Sequence, residues 1–120
     1  MTTTPAPITL GLNVIAEACY KTSTEHGFWD HREITSIDDT EITVPNPSIW
    51  AEKIALMHSE ASEMLEALRD GDEPALAIEC ADLLIRLFDF TSARGIDLEQ
   101  AVETKMAKNA TRPHLHGRKF

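Results

Sequence analysis

The sequence predicts an all-α fold: a four-helix bundle-like domain with a central antiparallel helical hairpin, assembled into an oligomer. Three observations carry this. Two long helical patterns, Trp50–Arg69 and Pro74–Ala93, flank Asp70-Gly71-Asp72-Glu73, where Gly71 suits a helix C-terminus and Pro74 the first turn of the next helix. Further helical patterns precede and follow this pair. The stretch from Leu76 to Phe90 is apolar nearly all round, apart from one arc holding Glu79, Asp82, Arg86 and Asp89, and such a helix is a buried one. It carries more apolar surface than one small bundle can cover, which predicts a homodimer or homotetramer.

The chain has 120 residues, which suits one domain spanning 1–120. With 20 acidic against 11 basic residues its net charge is −9, which argues against bulk binding to nucleic acid or to an anionic membrane. A small anionic ligand stays open if metal ions bridge it. Cys19 and Cys80 sit in helical patterns, fit no zinc spacing and imply no disulfide framework. No secretory signal or membrane-length apolar run is seen, so a reducing cytoplasm is the expected setting.

In chain order, residues 1–7 read as a loose arm. From Ile8 to Glu25, Leu12, Ile15, Ala16, Cys19 and Tyr20 recur at helical spacing, and Gly27 ends that helix. Phe28 and Trp29 then either plug the core or offer a stacking surface to a planar base. His26 either donates to such a ligand or caps the helix end. Residues 33–44 are β-branched around a polar centre, which permits a short hairpin inside a long connection. Asn46 or Ser48 caps the second helix, whose apolar stripe runs through Ile54, Met57, Ala61, Met64, Leu65 and Leu68. Gly95 stops the third helix, and Asp97 caps a fourth bearing Lys105, Lys108 and Asn109. Arg112 follows, and residues 113–120 form a tail rich in His, Arg and Lys.

The chemistry lies in two carboxylate pairs. Glu60 and Glu63 share a face of the second helix, and Glu79 and Asp82 share a face of the third. At about 1.5 Å of rise per residue both pairs stand about 8–9 Å from the turn, so a closed hairpin brings all four together. Several carboxylates share a partly buried site only when a positive charge offsets them, and a hard divalent cation with oxygen ligands does so. Arg86 is expected to pair with Asp82 or Asp89 behind that site. The bland reading is a solvated acidic helix face. A di-iron carboxylate bundle requires Glu-x-x-His pairs, and neither acidic pair has a His at i+3.

With Glu60-x-x-Glu63, Glu79-x-x-Asp82 and Lys105-Met-Ala-Lys-Asn109-Ala-Thr-Arg112-Pro in place, the chain resembles the all-α nucleoside triphosphate pyrophosphohydrolases, the MazG-like superfamily. His26-Gly-Phe-Trp-Asp30 and His116-Gly-Arg-Lys119 are similar to single-domain members. The loop 31–46 matches no part of that pattern. The resemblance implies hydrolysis of a (deoxy)nucleoside triphosphate to the monophosphate and pyrophosphate. Glu60, Glu63, Glu79 and Asp82 would be the catalytic, metal-holding carboxylates, with Mg²⁺ as the ion and Mn²⁺ as a substitute. Lys105, Asn109 and Arg112 would bind phosphates, while His26, Phe28 and Trp29 would bind the base. Arg86 and Asp89 would support the metal ligands. The alternative is a non-catalytic helical nucleotide-binding or interaction module on the same fold.

Overall fold

The computed structural model describes residues 11–37 and 41–119. The arm at 1–7, the expected helix start at Ile8, the hairpin tip at 38–40 and the final Phe120 lie outside the described residues. Helix α1 (Leu12–Glu25) is followed by a 3₁₀ turn at Asp30–Arg32 and by strands β1 (Glu33–Ile37) and β2 (Glu41–Pro45). Helices α2 (Ser48–Arg69), α3 (Glu73–Arg94) and α4 (Leu98–Ala110) complete the chain, with a last 3₁₀ turn at His114–Gly117. The strands pair antiparallel, with Glu33 opposite Pro45 and Ile34 opposite Val44.

The helix limits follow from local chemistry. Asn46 Oδ1 accepts from the Ser48 amide at 3.2 Å as α2 begins. Gly71, at φ 67°, turns the chain after α2, and Asp72 then caps α3 by accepting from Ala75 N at 3.0 Å. Asp97 caps α4 in the same way, accepting from Gln100 N at 3.1 Å. The side-chain amide of Asn13 donates to Asp97 Oδ1 at 2.8 Å, and the Leu12 amide donates to Glu99 at 3.0 Å, so the start of α4 is tied to the start of α1.

α3 folds back along α2, and α1 packs on α3. The core is small: Ala16, Trp29, Ile49, Ala67 and Phe88 are its buried apolar residues. Around it stands an aromatic run. Trp29 lies 5.9 Å from Tyr20 and 5.7 Å from Trp50 between ring centroids, and Trp50 lies 5.8 Å from Phe90. The Arg32 guanidinium sits 5.6 Å from the Trp29 centroid and 5.2 Å from that of Trp50. It donates to the Tyr20 hydroxyl at 3.0 Å and to the Ala93 carbonyl at 3.3 Å. The 26–32 segment is thereby stitched to both α1 and α3.

One feature departs from the sequence expectation. α4 packs on α1 and adds little cover to α3, so the bundle is three helices with a fourth at its side. In consequence α3 is only partly buried in the single chain: Ile78 is 61% exposed, and Leu84 and Ile85 about half exposed. No described helix is long and apolar enough to cross a membrane.

Candidate active site

The fold-back of α3 on α2 gathers acidic residues from both helices. Glu60, Glu79 and Asp82 each offer a carboxylate oxygen, and these oxygens lie within 4.8 Å of one another. Glu63 stands outside this tight group, yet close enough to influence the titration of both Glu79 and Glu60. Among the described residues no other such cluster of ligating side chains occurs.

The carboxylates are not equivalent. Glu60 is 6% exposed, and its Oε1 accepts from Arg86 Nε at 2.7 Å. That charge-assisted bond holds the Glu60 carboxyl below the usual carboxylate range despite its burial. Glu79 goes the other way. Its contact with Glu63, then burial, then the charges of Glu63, Asp82 and Glu60 push its pKa up to about 7. Carboxyl groups driven apart in this manner mark sites of acid–base chemistry.

Two buried oxygens, Glu60 Oε2 and Glu79 Oε2, have no hydrogen-bond partner. A buried carboxylate oxygen without a donor is costly. The donor set is all carboxylate oxygen, which is what Mg²⁺ or Mn²⁺ takes, and thiol and imidazole are absent from it. The arrangement therefore fits a hard divalent cation.

Beside the cluster opens a cavity of about 620 Å³ between α1, α2, α3 and the turn after α1. Glu60, Asp82 and Arg86 line it from the cluster, and His26, Phe28 and Lys53 line it as well. Ile15, Cys19 and Ile85 supply apolar wall.

Several expected roles change here. Arg86 pairs with Glu60, not with Asp82 or Asp89, because Glu60 is the carboxylate that burial leaves most in need of a donor. Asp89 instead accepts from Trp29 Nε1 at 2.9 Å, and both groups are buried. Trp29, 6% exposed and enclosed by Tyr20 and Trp50, fills the core; the stacking alternative is closed to it within the single chain. Phe28, 58% exposed, lines the cavity. His26 Nδ1 donates to the Thr22 carbonyl at 2.8 Å at the helix end, and the residue also lines the cavity.

Lys105, Asn109 and Arg112 are exposed, and none lines the cavity of its own chain. Lys53 does line it and was missed. It lies seven residues before Glu60 on the same helix, about two turns away on one face, and that spacing was a legible signal.

The all-α frame thus sets convergent, partly unpaired carboxylates beside a ligand-sized cavity. Residues 51–116, more than half of the chain, match the MazG nucleotide pyrophosphohydrolase domain. The chain belongs to that family. No curated protein and no solved structure shows a significant match to it.

Proposed function

We propose that this chain hydrolyses a (deoxy)nucleoside triphosphate to the monophosphate and pyrophosphate with Mg²⁺ or Mn²⁺. The single observation behind the metal dependence is the pair of partnerless buried oxygens, Glu60 Oε2 and Glu79 Oε2, in a cluster of carboxylates from a family of pyrophosphohydrolases. Glu60, Glu79 and Asp82 would hold the ion, with Glu63 beside them. The bound ion supplies positive charge for the phosphates and acidity to a water. The residues supply the rest. The Arg86 bond keeps Glu60 ionised and fixed in place. A carboxylate of the cluster takes the proton of the attacking water as the new bond forms at the α-phosphorus. The anhydride bond to the β-phosphate breaks, and pyrophosphate leaves with that electron pair. The cavity beside the cluster houses the nucleoside, with Phe28 as the stacking surface and His26 near it.

Lys105, Asn109 and Arg112 carry the proposed phosphate role across a subunit boundary. α4 leaves these residues exposed and away from the cavity of their own chain, while Ile78 and Leu84, outside the cavity, leave apolar surface for a second copy. In a homodimer or homotetramer the basic end of one copy would meet the acidic cleft of another.

A binding module on the same fold has no need of this cation. Melting with and without Mg²⁺ separates the two readings. The hydrolase is expected to melt several degrees higher with Mg²⁺ and to release pyrophosphate from at least one of the common nucleotides. An unchanged melt together with no pyrophosphate would leave only the module.

A further inference from the structure

We propose that Lys53 recognises the edge of the base and sets which nucleotide is preferred. The inference rests on the nucleotide reading above and assigns a specificity residue within the same cavity. Lys53 Nζ lies 4.5 Å from the Trp29 ring centroid and 5.9 Å from that of Phe28. It donates to the Phe28 carbonyl. An ammonium has three donors and no acceptor, so two remain for a ligand. Among the described residues it forms no ion pair, although Glu60, Asp82 and Asp89 line the same cavity. It is a partly desolvated cation, and burial pulls its amino group below the usual lysine range.

Position decides between base and phosphate. Lys53 and the Glu60 end of the cluster are about two helical turns, about 10 Å, apart along α2. Glu60, Glu79 and Asp82 would hold an ion that draws the phosphates toward the carboxylates. The nucleoside then extends away from them, to where Phe28 is exposed and Lys53 is the cation within reach. A base laid beside Phe28 presents its edge to that ammonium. Base edges differ in their donors and acceptors, so a donor-only group favours a base with an acceptor facing it and rejects one with an amino group there. Sites built to bond a ligand atom discriminate strongly against analogues that lack it.

The test is equilibrium binding of the four deoxynucleoside monophosphates, read by tryptophan fluorescence because Trp29 lies under Lys53. The full chain is compared with Lys53→Met, Lys53→Arg and Phe28→Ala, with pyrophosphate release from the four triphosphates measured alongside. Lys53→Met is expected to weaken the top-ranked base by about 10- to 100-fold and the others by about 3-fold or less, flattening the ranking. Lys53→Arg keeps the donors and the ranking. Phe28→Ala weakens all four and leaves the order intact, since stacking is sequence-tolerant. A uniform loss in Lys53→Met, or a ranking that survives it, overturns the inference, as does a wild type that binds all four alike. Ranked binding without pyrophosphate release would sink the hydrolase reading and leave Lys53 standing. Pyrophosphate release with an unchanged ranking in Lys53→Met would do the reverse.

Discussion

At the scale of single residues, the opposed behaviour of Glu60 and Glu79 makes the sharpest predictions. Glu79 titrates near 7 when folded, against the usual 4.5 for an exposed glutamate. The folded state therefore holds this proton more tightly than the unfolded chain. Its contribution to stability is fully present below 4.5 and is lost as pH rises to about 7. Glu60 titrates in the opposite direction, so the difference between wild type and Glu79→Gln isolates the effect. In metal-free protein, Glu79→Gln should melt above wild type at pH 8, with the gap closing below pH 5. The same variant should lose turnover with Mg²⁺ while keeping its helical circular dichroism; full activity would refute the assignment. Arg86→Met should destabilise by about 1.5–3 kcal/mol, because it leaves Glu60 buried with neither oxygen bonded. Denaturant midpoints measure this. The i, i+3 spacing singles out both carboxylate pairs because it is a backbone property, and Glu60, Glu79 and Asp82 of the four come together within 4.8 Å. The partner of Arg86 was not, since three carboxylates stood within reach and only burial distinguishes them.

At the scale of elements, the α2–α3 turn was readable from its Gly and Pro, and so were the stop of α3 at Gly95 and the cap of α4 at Asp97. The 26–32 segment was not readable, because an aromatic pair after a helix suits either a core or a stacking surface. Burial resolves it. Trp29 bonds Asp89 and packs on Tyr20 and Trp50, while Phe28 faces the cavity. Trp29→Ala is therefore expected to cost about 3–5 kcal/mol. It should lower the melting temperature and scale down all nucleotides together. A change in base ranking at constant stability would contradict the core assignment. A short hairpin was permitted by the β-branched residues, and past its paired strands the Asn46 backbone N–H donates to the Arg32 carbonyl at 2.8 Å and its side-chain amide to the His31 carbonyl at 3.1 Å. Those contacts span the hairpin and have no local sequence signal.

At the scale of the whole molecule, the excess of apolar residues on the third helix was visible in the sequence, and the single chain does leave Ile78, Leu84 and Ile85 exposed. The lateral position of α4 was not visible, because its dependence on Asn13, Asp97 and Glu99 joins distant parts of the chain. The oligomer proposed above makes a further prediction. Glu79→Gln lacks the cluster but keeps its basic helix end, and Lys105→Ala/Arg112→Ala does the opposite. Each alone should be crippled, the second by about 10- to 150-fold per lost charge-assisted bond for every nucleotide alike. Mixed after mild unfolding and refolding, they should regain part of the wild-type rate in hybrid assemblies; a mixture no better than its parts would place those residues outside the site. The central claim, cleavage between the α- and β-phosphates at the four-carboxylate cluster, is tested most directly by ³¹P NMR of the products formed with Mg²⁺ from a panel of nucleoside triphosphates. The account predicts equal amounts of monophosphate and pyrophosphate from wild type and none from Glu79→Gln. Diphosphate with inorganic phosphate, or the same products from both proteins, would contradict it.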